Sequence, residues 1–190
     1  LPNIKEWDEF KKLEMERLME WYDRLKDIKF AALRYFNAVG YDSEGELKGL
    51  EKNPANLLPI LMEVAKGLRP ELEIFGDDYE TPDGTCIRDY IHVDDLASGH
   101  VKALDYLVNN NTSLKVNLAT SHGLSVKEIV AETEKQLNRK LPTKISPHRP
   151  GDPTILYANS QKAQKLLNWE PKFSNLENII KTTIKAYELK

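Results

Sequence analysis

The chain has 190 residues, 41% hydrophobic and 30% charged, with a formal net charge of −3. That length holds one sizeable domain, alone or with an appendage, and the slight acidity gives no electrostatic reason to expect nucleic acid as a partner. A lone cysteine, Cys86, cannot form an internal disulfide and makes a reducing cytoplasm the expected compartment. No apolar run approaches the roughly 20 residues of a membrane span, and Leu1-Pro2-Asn3-Ile4-Lys5 lacks the pattern of a signal peptide.

In chain order, Glu6 to Asp27 reads as one amphipathic helix, with Phe10, Leu13, Leu18, Trp21, Tyr22 and Leu25 at three- and four-residue spacings. Lys29 to Phe36 follows as a strand that Asn37-Ala38-Val39-Gly40 ends; its unalternating Phe-Ala-Ala-Leu predicts a parallel strand covered on both faces. A polar loop runs from Tyr41 to about Pro54. Asn56 then opens a helix from Leu57 to Ala65, with Gly67 as its stop. Strands at Leu72–Phe75 and Ile87–Val93 flank a turn at Pro82-Asp83-Gly84, and Asp94 or Asp95 caps a helix from Leu96 to Val108. Lys115 to Ala119 reads as a strand, and Ser125-Val126-Lys127-Glu128 is a capping box opening a helix to about Leu137. A short strand near Thr143 to Ile145, the loop Ser146 to Asp152 and two further helices complete an α/β or α+β chain.

Several stretches carry a resemblance: Leu33-Arg34-Tyr35-Phe36-Asn37, Asn53 to Pro59, Ile74 to Tyr79, Asp83 to Leu96, and Pro147-His148-Arg149-Pro150-Gly151-Asp152. In this order and spacing they resemble the extended short-chain dehydrogenase/reductase superfamily and, within it, the UDP-glucose (UDP-galactose) 4-epimerases. The likeness covers nearly everything from Lys12 onward. It implies an α/β fold: the C-terminal, substrate-binding part of such a protein, with remnant outer strands of the Rossmann sheet. Residues 1–40 would be what remains of the NAD-binding domain. Residues 41–190 would bind the UDP-sugar, with the strand near 115–119 returning to the Rossmann sheet.

The residue types suit a nucleoside diphosphate sugar. Arginine forks offer paired, charge-assisted hydrogen bonds to a pyrophosphate, and Arg88 and Arg149 match the family's diphosphate-binding arginines. By the same resemblance Phe75 stacks on the base, Glu73 contributes its backbone, Asp152 accepts ribose hydroxyls, and Tyr90 belongs to the pocket. Asn37, Asn56 and Leu57, the last two at a helix N-terminus, would hold sugar and phosphate oxygens. Leu156 lies near a position that limits the group carried at C2 of the sugar. Taken singly, each of these residues is as ordinary as a surface arginine or a core phenylalanine; their joint order points to the site.

The histidines His92, His100, His122 and His148 stand at no ligand spacing, so no metal site is expected. His92 reads as structural and Cys86 as inert packing.

The chain also departs from the family. It contains no glycine-rich dinucleotide loop. Lys12 matches the family's catalytic lysine, but Asp8 stands where the tyrosine belongs, and Phe36 matches a residue near the nicotinamide. The resemblance thus implies NAD in an intact protein, an incomplete set of catalytic groups here, and an isolated chain that neither holds NAD nor epimerises. Three readings stay open: an epimerase part that works with an N-terminal half, a non-catalytic UDP-sugar-binding module, and a module that dimerises through its N-terminal helix.

Overall fold

The computed structural model describes residues 4–47 and 49–189, and of residues 4–9 the backbone alone. Leu1 to Asn3 and the side chain of Asp8 therefore lie outside what is described. In chain order the elements are α1 (Ile4–Lys26), β1 (Ala31–Arg34), β2 (Asn37–Val39), α2 (Leu57–Ala65), β3 (Leu72–Phe75), β4 (Ile87–Arg88), β5 (Tyr90–His92), α3 (Val93–Asn110), β6 (Leu114–Asn117), β7 (Leu124–Ser125), α4 (Val126–Leu137), β8 (Thr143–Ser146), β9 (Ile155–Leu156), α5 (Gln161–Leu167) and α6 (Leu176–Ala186).

Helix α1 meets the strands through its charged side. Glu16 accepts both ends of the Arg34 fork, Lys115 Nζ lies 2.5 Å from Glu20 Oε1, and Lys29 Nζ lies 2.6 Å from Asp23 Oδ1. The apolar stripe of Leu13, Leu18, Trp21, Tyr22 and Leu25 faces outward. Strand β1 is only half-buried, against the expectation of a strand covered on both faces. Its pairing is parallel as predicted, with Ala31 opposite Leu114 and Arg34 opposite Asn117.

Asn37-Ala38-Val39, expected only to end the strand at Lys29–Phe36, forms a strand of its own. Asn37 sends both its backbone N–H and its Nδ2 to the carbonyl of Asp89, which draws β2 away from β1 and into parallel register with β5. Ile87–Val93 divides, because Asp89 turns aside: its buried carboxylate accepts from Thr120 N, Thr120 Oγ1 and Ala158 N. Strand β4 then lies between two strands of two residues each, β7 and β9, which the sequence did not foretell. Strand β3 pairs in parallel with β8, ending at Phe75 opposite Ser146. No two strands consecutive in the chain pair with each other among the described residues.

Helix α3 starts at Val93, and its cap is His92 rather than Asp94 or Asp95: the His92 Nδ1 accepts from Asp94 N at 3.1 Å. The His92 ring is fully buried, and its Nε2 lies 2.9 Å from Thr182 Oγ1. Gly40 lies so near that a Cβ there would fall 2.2 Å from the ring. At α4 both halves of the predicted capping box are present.

Two apolar clusters result. One gathers Leu61, Met62, Ile74, Ile129, Ile179 and Ile180 from α2, β3, α4 and α6. The other packs Leu96, Val116, Leu118, Ala163 and Trp169 among α3, β6 and α5. Asp95 ties the tail to α3, its buried carboxylate accepting from Lys172 N, Phe173 N and Ser174 Oγ.

Candidate functional site

Strands β2, β3, β4 and β5, the N-terminus of α2 and the loop after β8 enclose a cavity of about 490 Å³. On β3 the side chains alternate, so Leu72 and Ile74 enter the core while Glu73 and Phe75 turn to the other face. Arg88 and Tyr90 arrive on either side of Asp89, and Asn37 stands opposite Tyr90 in the β2–β5 register. Asn56 is the N-cap of α2 but spends no side-chain hydrogen bond on that helix, and Leu57 follows it. The Arg149-Pro150-Gly151-Asp152 segment closes with Asp152 N on Arg149 O at 3.2 Å. Gly151 has φ +73°, so proline and glycine hold the two central positions that a type II turn requires.

All nine substrate-site residues read from the sequence (Asn37, Asn56, Leu57, Glu73, Phe75, Arg88, Tyr90, Arg149 and Asp152) line this one cavity. Lys12 and Phe36 do not line it and are exposed. Arg69, Glu71, Thr85 and Cys86 also line it; as isolated loop residues they carry no sequence signal. Leu156 lies opposite Arg88 in β9, outside the set that lines the cavity.

The cavity already holds its charges in defined places. Arg149 lays its guanidinium over the Phe75 ring, 3.8 Å from the centroid. Arg88 Nη1 donates to Ile87 O at 2.7 Å, while Nη2 stands 3.0 Å from Asp152 Oδ1. Beyond that ion pair, the buried Nη2 has no hydrogen-bond partner. Burial pushes the Tyr90 phenol and the Cys86 thiol upward, so both stay protonated near neutral pH. Cys86 is thus a weak nucleophile. Among the described residues no group of three or more His, Cys, Asp or Glu side chains stands together to hold a metal, and no helix is long and apolar enough to cross a membrane.

The cavity thus brings an aromatic face, two arginine forks and a turn-borne carboxylate together in the crevice of an α/β framework. A family model described as GDP-mannose 4,6 dehydratase matches residues 10–183, and the chain belongs to that family. The UDP-glucose 4-epimerase of Streptococcus mutans is 45% identical over 169 residues, 89% of this chain and 51% of that protein. The UDP-glucose 4-epimerase structure from Brucella ovis, in complex with NAD, superposes with a TM-score of 0.90 at 42% identity, over 94% of this chain and 55% of that one. The Bifidobacterium longum enzyme, solved with NAD+ and UDP, gives 0.82 at 37% identity, over 93% and 52%. The chain spans about half the length of the relatives it matches and corresponds to part of an epimerase of the short-chain dehydrogenase/reductase superfamily.

The NAD of those relatives calls for a glycine-rich entry to a helix. Here α2, α3, α4, α5 and α6 are entered through Asn56, His92, Ser125, Ser160 and Asn175, and the described residues form no dinucleotide cradle.

Proposed function

We propose that the chain is the C-terminal, UDP-sugar-binding part of an NAD-dependent UDP-glucose 4-epimerase, and that these 190 residues bind UDP-glucose or UDP-galactose without interconverting them. The observation that carries this reading is the convergence of Phe75, Arg88, Arg149 and Asp152 on one cavity. The base takes the Phe75 face, Arg88 and Arg149 take the diphosphate, and Asp152 takes the ribose. The Asn56 side chain, which spends no hydrogen bond on its helix, supports an oxygen-rich ligand at that end. In the intact protein Lys12 and Phe36 would face the cofactor. Residues 1–40 and the strand β6 would belong to the NAD-binding domain, and 41–190 otherwise to the substrate domain. Leu156, intermediate in size, is compatible with a C2 hydroxyl on the sugar. The single thiol supports a cytoplasmic setting.

Titration calorimetry with UDP tests the reading. Saturable one-to-one binding is expected. Binding weaker than about 1 mM, only about 4 kcal/mol, would sink it.

A second reading is favoured by the outward apolar stripe of α1: a module that associates through that helix, with another copy or with an N-terminal half. Sedimentation of the chain at rising concentration tests self-association, and a monomer that binds UDP would rule out pairing with another copy.

A further inference from the structure

The loop that carries Arg149 and Asp152 is fastened by its neighbour, His148. The imidazole lies against the Tyr79 ring, with centroids 4.2 Å apart and planes inclined by 31°. Its Nε2 meets Asp78 Oδ1 at 2.5 Å. Both rings press on backbone that has no side chain: a Cβ at Gly76 would fall 2.7 Å from the His148 ring and 2.7 Å from Tyr79. Gly76 has φ +82°, and its N–H donates to Ser146 O at 2.8 Å, extending the β3–β8 pairing up to the loop. Tyr79 in turn reaches inward. Its hydroxyl is buried with no hydrogen-bond partner and lies within electrostatic range of Asp152, Cys86 and Arg88. One step along the chain from His148, Arg149 makes the parallel contact on Phe75.

We propose that His148 is a positioning residue for UDP-sugar binding: stacked on Tyr79 over Gly76, it fixes the loop so that Arg149 reaches the diphosphate. The inference rests on the UDP-site reading above. The stack is the working contact, because Asp78 is 79% exposed and an ion pair in water holds little. His148 touches no ligand itself; it acts through Arg149. A ring stack of this kind corresponds to about a three- to tenfold change in an equilibrium.

The experiment is a double-mutant cycle on UDP affinity by calorimetry, with thermal unfolding run beside it. His148→Ala is expected to weaken UDP binding about three- to tenfold. The same change made in an Arg149→Ala background is expected to have no further effect, and His148→Phe, which keeps the stack, to restore the affinity. An unaltered affinity in His148→Ala overturns the inference and leaves the UDP site standing. So does a loss that persists in full without Arg149, or a His148→Phe variant that fails to recover. If the unsubstituted chain takes up no UDP, the underlying reading and this inference fall together.

Discussion

Arg149 rests its guanidinium on the face of Phe75, 3.8 Å from the ring centre. If a uracil is to use that face, the arginine must leave it, and the diphosphate is what would draw it off. Removing the aromatic face is therefore expected to cost base stacking. Phe75→Ala should weaken UDP binding by about 1–3 kcal/mol, or about five- to 150-fold, as read by calorimetry. An affinity within twofold of the unsubstituted chain would place the base elsewhere.

The catalytic prediction concerns what the 190 residues lack. Proton removal from a sugar hydroxyl requires a base held near neutral pKa; on the proposed reading Asp8 stands where the family's tyrosine belongs, and a free aspartate has a reference value of about 3.9. Incubation of the chain with UDP-galactose and added NAD is expected to yield no UDP-glucose. Turnover above the blank in a coupled assay would refute this.

His92 predicts an acid-sensitive fold. Burial holds its imidazole below the usual histidine range, with Asp94 and Asp95 opposing only in part. In the unfolded chain the ring takes up a proton near pH ~6.5. Below that pH the unfolded state binds the extra proton, so stability falls as the pH drops toward the folded value and is fully present above about pH 7. The slope from this one group reaches at most about 1.4 kcal/mol per pH unit. Urea titrations at two pH values either side of 6.5 measure it, and His92→Gln is expected to flatten the acid side. An unchanged acid slope in that variant would assign the effect to other groups.

Gly40 offers a paired test. With φ +75° and a phantom Cβ 2.2 Å from the His92 ring, Gly40→Ala is expected to destabilise by about 2–4 kcal/mol. Gly49, which has nothing within 4 Å of its Cβ position, should accept alanine within about 0.5 kcal/mol. Chemical denaturation of both variants gives the comparison, and equal midpoints would contradict it.

Asp95→Ala should loosen the tail. It strips the acceptor from Lys172 N, Phe173 N and Ser174 Oγ at once. A loss of about 3 kcal/mol is expected by urea denaturation, and faster hydrogen exchange at residues 172–174 should accompany it. Unchanged exchange there would show that other contacts hold the segment.

What the sequence revealed depended on how local the governing force was. The capping box at Ser125 and Glu128 is written within four residues and appears intact. The parallel pairing of β1 was legible in its unalternating apolar run. The separate strand at Asn37–Val39 was not, because it turns on the Asp89 carbonyl, some fifty residues away in sequence, drawing Asn37 to a different strand. The cap at His92 escaped for a similar reason. Aspartates are the favoured caps, and nothing nearby in the sequence announces that Thr182 and Gly40 will enclose the histidine. The amphipathic pattern of α1 was plain, but periodicity does not say which face turns inward, and the Glu16–Arg34 and Glu20–Lys115 pairs decide it. In the cavity the named residues were found through their resemblance, whereas the Tyr79–His148 stack had no signature beyond two aromatic side chains on distant loops.

The strand pairings bear on the order in which the chain acquires its shape. Ala31 waits for Leu114, Leu72 for Thr143, Asn37 for Tyr90 and Ile87 for Ile155, so each sheet closes a long loop and, among the described residues, no hairpin offers an early nucleus. Such non-local closure slows folding. On a ribosome, β1 and β3 would emerge long before their partners, and their unpaired edges would stand open to chaperones or to neighbouring nascent chains until residues 114–117 and 143–146 had been made.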